Sequence, residues 1–100
     1  MAAAEVARQA ASSGDRDLLE SSLVQGAGVD ERGPAGTTLL MVAASAGHEN
    51  IVELLLERGA DPHATCTHGS TALSYAWNYQ QEGVKAALET ALRSGPASSS

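Results

Sequence analysis

The densest group of reactive side chains lies in one short segment, residues 63–68. It contains His63, Cys66 and His68, and His48 precedes it. Imidazole nitrogens and thiolates are preferred zinc ligands, but a structural zinc site needs four of them held tetrahedrally. The segment supplies three, and the fourth would have to come from elsewhere in the chain. We therefore expect this protein to bind no metal ion and no cofactor.

The same segment places a thiol close to an imidazole, which is the pairing of cysteine-dependent enzymes. A nucleophilic cysteine needs a lowered pKa, a third group that orients the imidazole, and a pocket for the substrate. No motif in the sequence indicates an oxyanion hole or a cleft. Glu49, Glu53 and Glu57 recur every four residues, which is the pattern of a solvated helical face rather than of paired catalytic carboxylates. We expect a non-catalytic protein.

The balance of charge excludes two classes of partner. Twelve acidic residues against six lysines and arginines give a net charge of −6. Proteins that bind nucleic acids need a basic stripe, whereas the few basic residues here are scattered singly. Acidic membrane surfaces would repel this chain for the same reason. The electrostatic field favours a protein partner with a basic surface.

Cysteine usage and hydropathy indicate the compartment. Cys66 is the only cysteine, so an internal disulfide is impossible and a reducing environment is favoured. No run approaches the eighteen or so apolar residues that a membrane span requires. Glu5 and Arg8 interrupt the stretch where a signal peptide would have its apolar centre. We expect a cytoplasmic or nuclear protein.

The elements that position these residues belong to an internal repeat. Residues 36–63 align with residues 69–96 at a constant offset of 33. The matches are Gly36/Gly69, Thr38/Thr71, Leu40/Leu73, Ala43/Ala76 and Ile51/Val84. A fainter first copy, in which Gly14 corresponds to Gly47, precedes them. The chain is therefore one unit written about three times, with only the middle copy complete.

The middle copy predicts a first helix over residues 38–46. Its sequence, TLLMVAASA, is apolar and small, and Thr37 or Thr38 can accept a hydrogen bond from a free N–H group at the helix start. Gly47 follows, and glycine readily adopts the left-handed conformation that ends a helix.

A second helix is predicted over residues 49–58, with leucines facing inward and glutamates outward. Gly59 ends it and Pro62 prevents its continuation. The next ten residues have the composition of turns, and we call this kind of segment a finger. The other two copies predict helices over residues 2–12, 16–25, 71–79 and 82–92.

The segment 36–61, GTTLLMVAASAGHENIVELLLERGAD, resembles an ankyrin repeat nearly from end to end. The 33-residue period extends the resemblance over residues 3–92. It implies an all-α fold, an ankyrin-repeat solenoid of stacked helix-turn-helix units with β-turn fingers. We expect a short, complete array over residues 1–93. Its parts would be an N-terminal capping repeat (1–27), a full repeat (28–60), a C-terminal capping repeat (61–93) and a flexible tail (94–100).

Several positions depart from the family pattern. Met41 and Ser74 stand where the family has the histidine that ties a helix to its loop, so that tie is expected to be missing or partial. Gly33 and Cys66 stand where the finger usually has aspartate, which predicts less rigid fingers. Trp77 stands where a small residue is usual, and we interpret it as a core residue or as cover for the C-terminal end of the array.

The resemblance also indicates where a partner would bind, because the usual binding surface of the family is the concave groove formed by fingers and first helices. The corresponding positions are Arg32, Pro34, Ala35, Thr37, Ser45, Ala46, Thr65, Thr67, His68, Ser70, Asn78 and Tyr79. Tyr79 is the best single anchor, since an amphipathic ring adds contact area at low entropic cost. Covering the C-terminal end is an equally good role for it.

Two functions remain open at this point. The leading prediction is a non-catalytic protein-protein interaction module, a small adaptor or regulator that is monomeric when free and binds a protein through the concave surface. The alternative is a structural cap or scaffold subunit that packs end-on in a larger assembly. In that case the residues near Trp77, Lys85 and Leu92 would form the contact.

Overall fold

Six α-helices account for most of residues 3–94, the part of the chain that the computed structural model describes. The helices are α1 (Ala3–Ser13), α2 (Arg16–Val24), α3 (Leu39–Ala46), α4 (Glu49–Glu57), α5 (Ala72–Asn78) and α6 (Glu82–Ser94). A single 3-10 turn, Pro34–Gly36, lies between α2 and α3, and residues 3–94 contain no strand. Every predicted helix is present, with its ends within two residues of the expected positions.

The helices form two layers. The first helices of the three units, α1, α3 and α5, pack side by side as an inner layer, and α2, α4 and α6 form the outer layer. Each outer helix also packs on the inner helix that precedes it in the chain. This arrangement confirms the predicted all-α solenoid of stacked helix-turn-helix units.

Alanines allow the inner helices to approach one another closely. The fully buried ones are Ala7, Ala10, Ala11, Ala43, Ala44 and Ala76. Larger side chains fill the space between the layers, where Leu19, Ile51, Leu55 and Leu88 are also fully buried. Each such leucine contributes about 2 kcal/mol to folding by leaving water. The core is therefore thin and aliphatic, as the low aromatic content requires.

Helix α3 begins at a cap that replaces the expected histidine tie. Thr38 Oγ1 accepts a hydrogen bond from the backbone N–H of Met41 at 3.3 Å, and the backbone N–H of Thr38 donates to Met41 Sδ at 3.4 Å. The prediction of a missing tie at this position is therefore wrong, because a buried sulfur accepts the hydrogen bond instead. At the start of α5, Thr71 Oγ1 lies 3.3 Å from the hydroxyl of Ser74. A hydrogen bond between these two hydroxyl groups therefore replaces the histidine tie there.

Two predictions about the C-terminal unit concern Trp77 and the tail. Trp77 is 56% exposed, so the interpretation of its ring as part of the core is wrong. Its ring lies beneath the Lys85 ammonium, 3.9 Å from the ring centroid, at the outer end of the stack. The predicted flexible tail, 94–100, lies outside the described residues except for Ser94, which ends α6. The boundaries between the three repeats stay predictions.

Candidate functional site

Each finger is built around a β-turn, at residues 33–36 and 66–69. The N–H of the last turn residue donates to the carbonyl oxygen of the first at 2.9 Å in both fingers. The N–H of the first turn residue donates in turn to the carbonyl oxygen four residues further on, at 2.8 Å in the first finger and 2.9 Å in the second. Both fingers are therefore closed loops, and the predicted β-turn fingers are present.

The two fingers are also joined to one another. Thr67 donates to the carbonyl oxygen of Ala35 twice, from its backbone N–H and from its hydroxyl, at 3.0 Å each. The Arg32 guanidinium donates to the carbonyl oxygen of Gly36 at 2.9 Å and to that of Thr65 in the next finger. Four of the predicted site residues, Arg32, Ala35, Thr65 and Thr67, thus form one hydrogen-bonded surface.

Ala35 adopts an unusual backbone conformation at the tip of the first finger, with φ of 59°. For a residue with a Cβ atom this left-handed region costs roughly 1–2 kcal/mol. The same conformation directs the Ala35 carbonyl oxygen at Thr67 and so secures the contact between the fingers. Strain of this kind persists where surrounding contacts hold it, and it is concentrated at functional sites.

Arg8 of helix α1, which was not among the predicted site residues, belongs to this surface. Its guanidinium crosses from α1 to the first finger and donates to the carbonyl oxygen of Thr37 and, at 3.3 Å, to the Thr37 hydroxyl. It occupies the space that a Cβ atom would need if another residue replaced Gly33. Partial burial lowers the pKa of Arg8, and the charge of Glu31 raises it. The sequence contained a signal for this role, because Arg8 lies 33 residues before Met41. Met41 is the position at which the family has the histidine that ties a helix to its loop.

Cys66 stabilises the second finger in the way that an aspartate would. Its buried Sγ accepts hydrogen bonds from the backbone N–H of His68 at 3.4 Å and from the hydroxyl of Tyr75 at 3.6 Å. These bonds, that from Tyr75 foremost, lower the pKa of the Cys66 thiol to about 6, and the same bond raises the pKa of Tyr75. Sulfur thus accepts hydrogen bonds where the family has a carboxylate oxygen, and the expectation of a less rigid finger stays a prediction.

The remaining predicted residues form a second group. Ser45 and Ala46 end α3, while Asn78 and Tyr79 lie at the end of the neighbouring helix α5. The fingers precede these helices, so the eight residues of α3 separate the two groups by about 12 Å at 1.5 Å per residue. A partner that contacts both groups must span the length of the inner helices.

All twelve predicted positions are at least partly accessible, but they differ in the polar groups that they still offer. The Ser45 hydroxyl donates to its own helix at 3.0 Å, so it is engaged locally. Pro34, Thr65, His68 and Asn78 are exposed, and Ser70 is half-buried with its carbonyl oxygen used in the closure of its finger. Tyr79 is 58% exposed and is the largest accessible side chain of the set.

Among residues 3–94, no group of three or more His, Cys, Asp or Glu side chains is close enough to hold a metal ion. The His48 ring lies 3.0 Å from the carbonyl oxygen of Ser12, where it bridges two units. In the same part of the chain, no helix has both the length and the hydropathy to cross a bilayer.

Comparison with known proteins agrees with this architecture. The family model for ankyrin repeats, comprising three copies, matches residues 8–94. The ankyrin repeat and KH domain-containing protein mask of Drosophila melanogaster is 44% identical over 62 residues, which are 61% of this chain and 2% of that protein.

Two further relatives show similar partial matches. Protein HOS4 of Saccharomyces cerevisiae is 55% identical over 42 residues, covering 42% of this chain and 4% of its own length. The ankyrin repeat, SAM and basic leucine zipper domain-containing protein 1 of Ornithorhynchus anatinus is 44% identical over 57 residues. These residues are 57% of this chain and 12% of that protein. The chain thus matches only a small part of the length of these curated relatives.

Proposed function

Since this chain belongs to the ankyrin-repeat family, we propose that it is a non-catalytic binding module that holds a protein partner on its fingers and inner helices. Ankyrin repeats generally mediate protein-protein interactions, and the family is typically non-catalytic. In this proposal the chain is an adaptor or regulator that is monomeric when free and acts in the cytoplasm or nucleus, where its single cysteine stays reduced.

The observation that carries this proposal is the set of hydrogen bonds that joins the two fingers. Ordering a loop on binding costs about 0.5–1.5 kcal/mol for each immobilised side chain, and a surface that is already ordered avoids that cost. The hydrogen bonds of Arg32 and Thr67 to the neighbouring finger, together with Arg8 behind the first finger, provide this preorganisation. An array of exposed polar groups with Tyr79 at its far end suits a folded protein surface better than a small molecule.

Site-specific photo-crosslinking in a cell lysate tests the surface. A photo-crosslinkable residue in place of His68 should capture a discrete protein, and the same residue in place of Ser21, which is exposed on α2, should not. Tyr79→Ala should weaken capture at position 68 while leaving the circular dichroism spectrum unchanged. Capture that is equal from both positions, or that is insensitive to Tyr79→Ala, would contradict the proposal.

A second candidate function has its own support at the C-terminal end of the stack. Trp77 and Tyr79 are 56% and 58% exposed, although large aromatic rings are usually covered. The Lys85 ammonium shields one face of Trp77, and Glu82 holds that ammonium at 2.9 Å. In this alternative the chain is a cap or scaffold piece whose end packs on a larger assembly.

The fluorescence of Trp77 distinguishes the two candidates, because it is the only tryptophan. Packing of the end against an assembly would transfer the ring from water to an apolar contact and shift its emission to shorter wavelength. A partner bound across the fingers leaves that emission unchanged. Trp77→Ala should abolish end-on binding and have little effect on binding to the fingers.

A further inference from the structure

A trough runs along the outer face of the protein between α4 and α6, away from the finger turns at residues 33–36 and 66–69. It consists of two adjoining hollows, each about 390 Å³, which share Leu56 and Ala91. The residues that line the two hollows are Glu53, Leu56, Glu57, Gly59, Ala60, Asp61, Pro62, His63, Ala87, Thr90 and Ala91. The floor is therefore apolar, and carboxylates stand along the rim.

The preceding junction of the array has cations around its equivalent acidic side chain. Between α2 and α4, the Arg58 guanidinium lies 3.9 Å from the carboxylate of Glu20, and Arg16 lies 3.8 Å from the same carboxylate. Arg16 also donates to the carbonyl oxygen of Asn50 at 3.4 Å and so joins the two helices. Two guanidinium groups thus neutralise the one acidic side chain at this junction.

The equivalent positions between α4 and α6 lack both cations. The 33-residue period places Glu53 where the previous junction has Glu20, and Ala91 where it has Arg58. Glu49 takes the place of Arg16, which exchanges a positive charge for a negative one. This junction therefore has the acidic side chain, Glu53, but neither of the arginines that would neutralise it.

The apolar part of the closure is missing as well. Ala87 lines the trough from α6, and its equivalent in the preceding unit is Leu54, which is 1% exposed. Replacing an isobutyl group with a methyl group removes three carbon atoms from the junction. Ala87 and Ala91, at the positions of that leucine and of Arg58, both line the trough.

The charge around the trough remains uncompensated. Among residues 3–94 the carboxylates that form ion pairs are Glu20 and Glu82, and neither lines the trough. Glu49 and Glu57 flank Glu53 at four-residue intervals on α4, where like charges repel one another. A cation from outside the chain would relieve this repulsion.

We propose that the trough binds a segment of a partner protein in which an arginine lies beside a leucine or a residue of similar shape. The arginine pairs with Glu53 as Arg58 pairs with Glu20, and the apolar side chain packs on Leu56, Ala87 and Ala91. Arginine suits the site better than lysine, because the planar guanidinium is weakly hydrated and matches a carboxylate. This surface includes the start of the second finger but not the finger turns, so either surface could bind a protein without the other.

The test uses the full chain and a synthetic amphipathic helical peptide with arginine and leucine four residues apart, along with a matched peptide in which glutamine replaces arginine. Titration of the isotopically labelled protein, followed by nuclear magnetic resonance, should shift the amide signals of residues 53–63 and 87–91. The arginine peptide should bind about threefold more weakly to Glu53→Gln, the loss expected for one exposed ion pair. The glutamine peptide should bind the parent protein with a similar loss.

The double variant Ala87→Leu/Ala91→Arg supplies both missing groups in cis and closes the trough. We expect it to bind the arginine peptide at least about tenfold more weakly, a loss of roughly 1.4 kcal/mol, and to melt at or above the parent temperature, which excludes misfolding as the cause. Tyr79→Ala serves as the control on the other surface and should bind the peptide normally. Unchanged binding by the double variant, shifts confined to the finger turns at residues 33–36 and 66–69, or no binding by the parent protein would overturn the proposal.

Discussion

Gly47 ends helix α3 at the point where the second and third units meet. It adopts the left-handed conformation, with φ of 81°, and its N–H donates to the carbonyl oxygen of Ala43 at 2.9 Å. A Cβ atom added here would lie 2.5 Å from Oε1 of Gln81. Gln81 cannot move away freely, because its Nε2 donates to the carbonyl oxygen of Ser45 at 3.2 Å. Gly47→Ala should therefore weaken both the end of the helix and the contact between the units.

The expected loss of stability has two parts. Placing alanine in the left-handed region costs about 1 kcal/mol. Displacing Gln81 breaks its hydrogen bond to Ser45, which contributes about 0.5–1.5 kcal/mol. The free energy of unfolding should fall by about 2 kcal/mol, and at 4–8 °C per kcal/mol for a domain of this size the melting temperature should fall by about 8–16 °C.

Gly59→Ala is the matched control. Gly59 has a similar φ of 91°, but a Cβ atom there would meet nothing within 4 Å. This variant should lose only the conformational part, about 1 kcal/mol. The difference between the two variants therefore measures the contact between the units alone. Urea denaturation followed by circular dichroism provides both free energies, and an unchanged slope would show that the unfolded state is the same.

A double-mutant cycle with Gln81→Ala tests the assigned cause. Once Gln81 is truncated, Gly47→Ala has no side chain to displace and should cost no more than Gly59→Ala. The coupling energy between positions 47 and 81 should then be about 1 kcal/mol. Equal costs for Gly47→Ala and Gly59→Ala in the parent protein, or a cycle that closes without coupling, would refute the reasoning.

Three other substitutions probe contacts specific to this chain. Thr38→Val removes the side-chain acceptor for the Met41 N–H and should cost about 1 kcal/mol, measured by urea denaturation; an unchanged midpoint would contradict this. Because the bond from Tyr75 lowers the pKa of Cys66 from 9.0 to about 6, the parent protein should lose stability as the pH falls from about 9 to about 6 and the thiolate is protonated. Cys66→Ser should lose less over that range, and an identical pH profile for the two proteins would count against a folded-state thiolate. Arg8→Ala should cost about 1–2 kcal/mol through loss of its charged hydrogen bonds to the first finger, and no change in melting temperature would show that the finger is held without it.

The sequence was sufficient to predict the fold because the information repeats. Ala10, Ala43 and Ala76 recur at an offset of 33 where inner helices touch, and Gly14 and Gly47 end helices at the same offset, so each copy supports the interpretation of the others. The helix ends follow from the same pattern, since Thr38 and Gly47 are residues that begin and end helices for local reasons.

The details of the candidate site could not be predicted in the same way. Met41 and Cys66 accept hydrogen bonds through sulfur, and whether a thioether or thiol reaches an N–H depends on its rotamer rather than on its residue type. Arg8 reaches the first finger because its side chain is long and flexible, so its partner lies 29 residues away. Trp77 is exposed although its residue type favours burial, and no local pattern specifies that outcome.

The two proposed surfaces arise from opposite features of the array. The stability of a repeat protein is approximately the sum of the stabilities of its units and of the junctions between them. At the fingers, Arg8, Arg32 and Thr67 satisfy the junctions internally, so a partner meets an ordered surface and adds only its own contacts. At the trough, Ala87 and Ala91 leave the last junction without the leucine and arginine of the preceding one. A partner that supplies those groups completes the fold of the array, so its binding energy is also folding energy for the C-terminal unit.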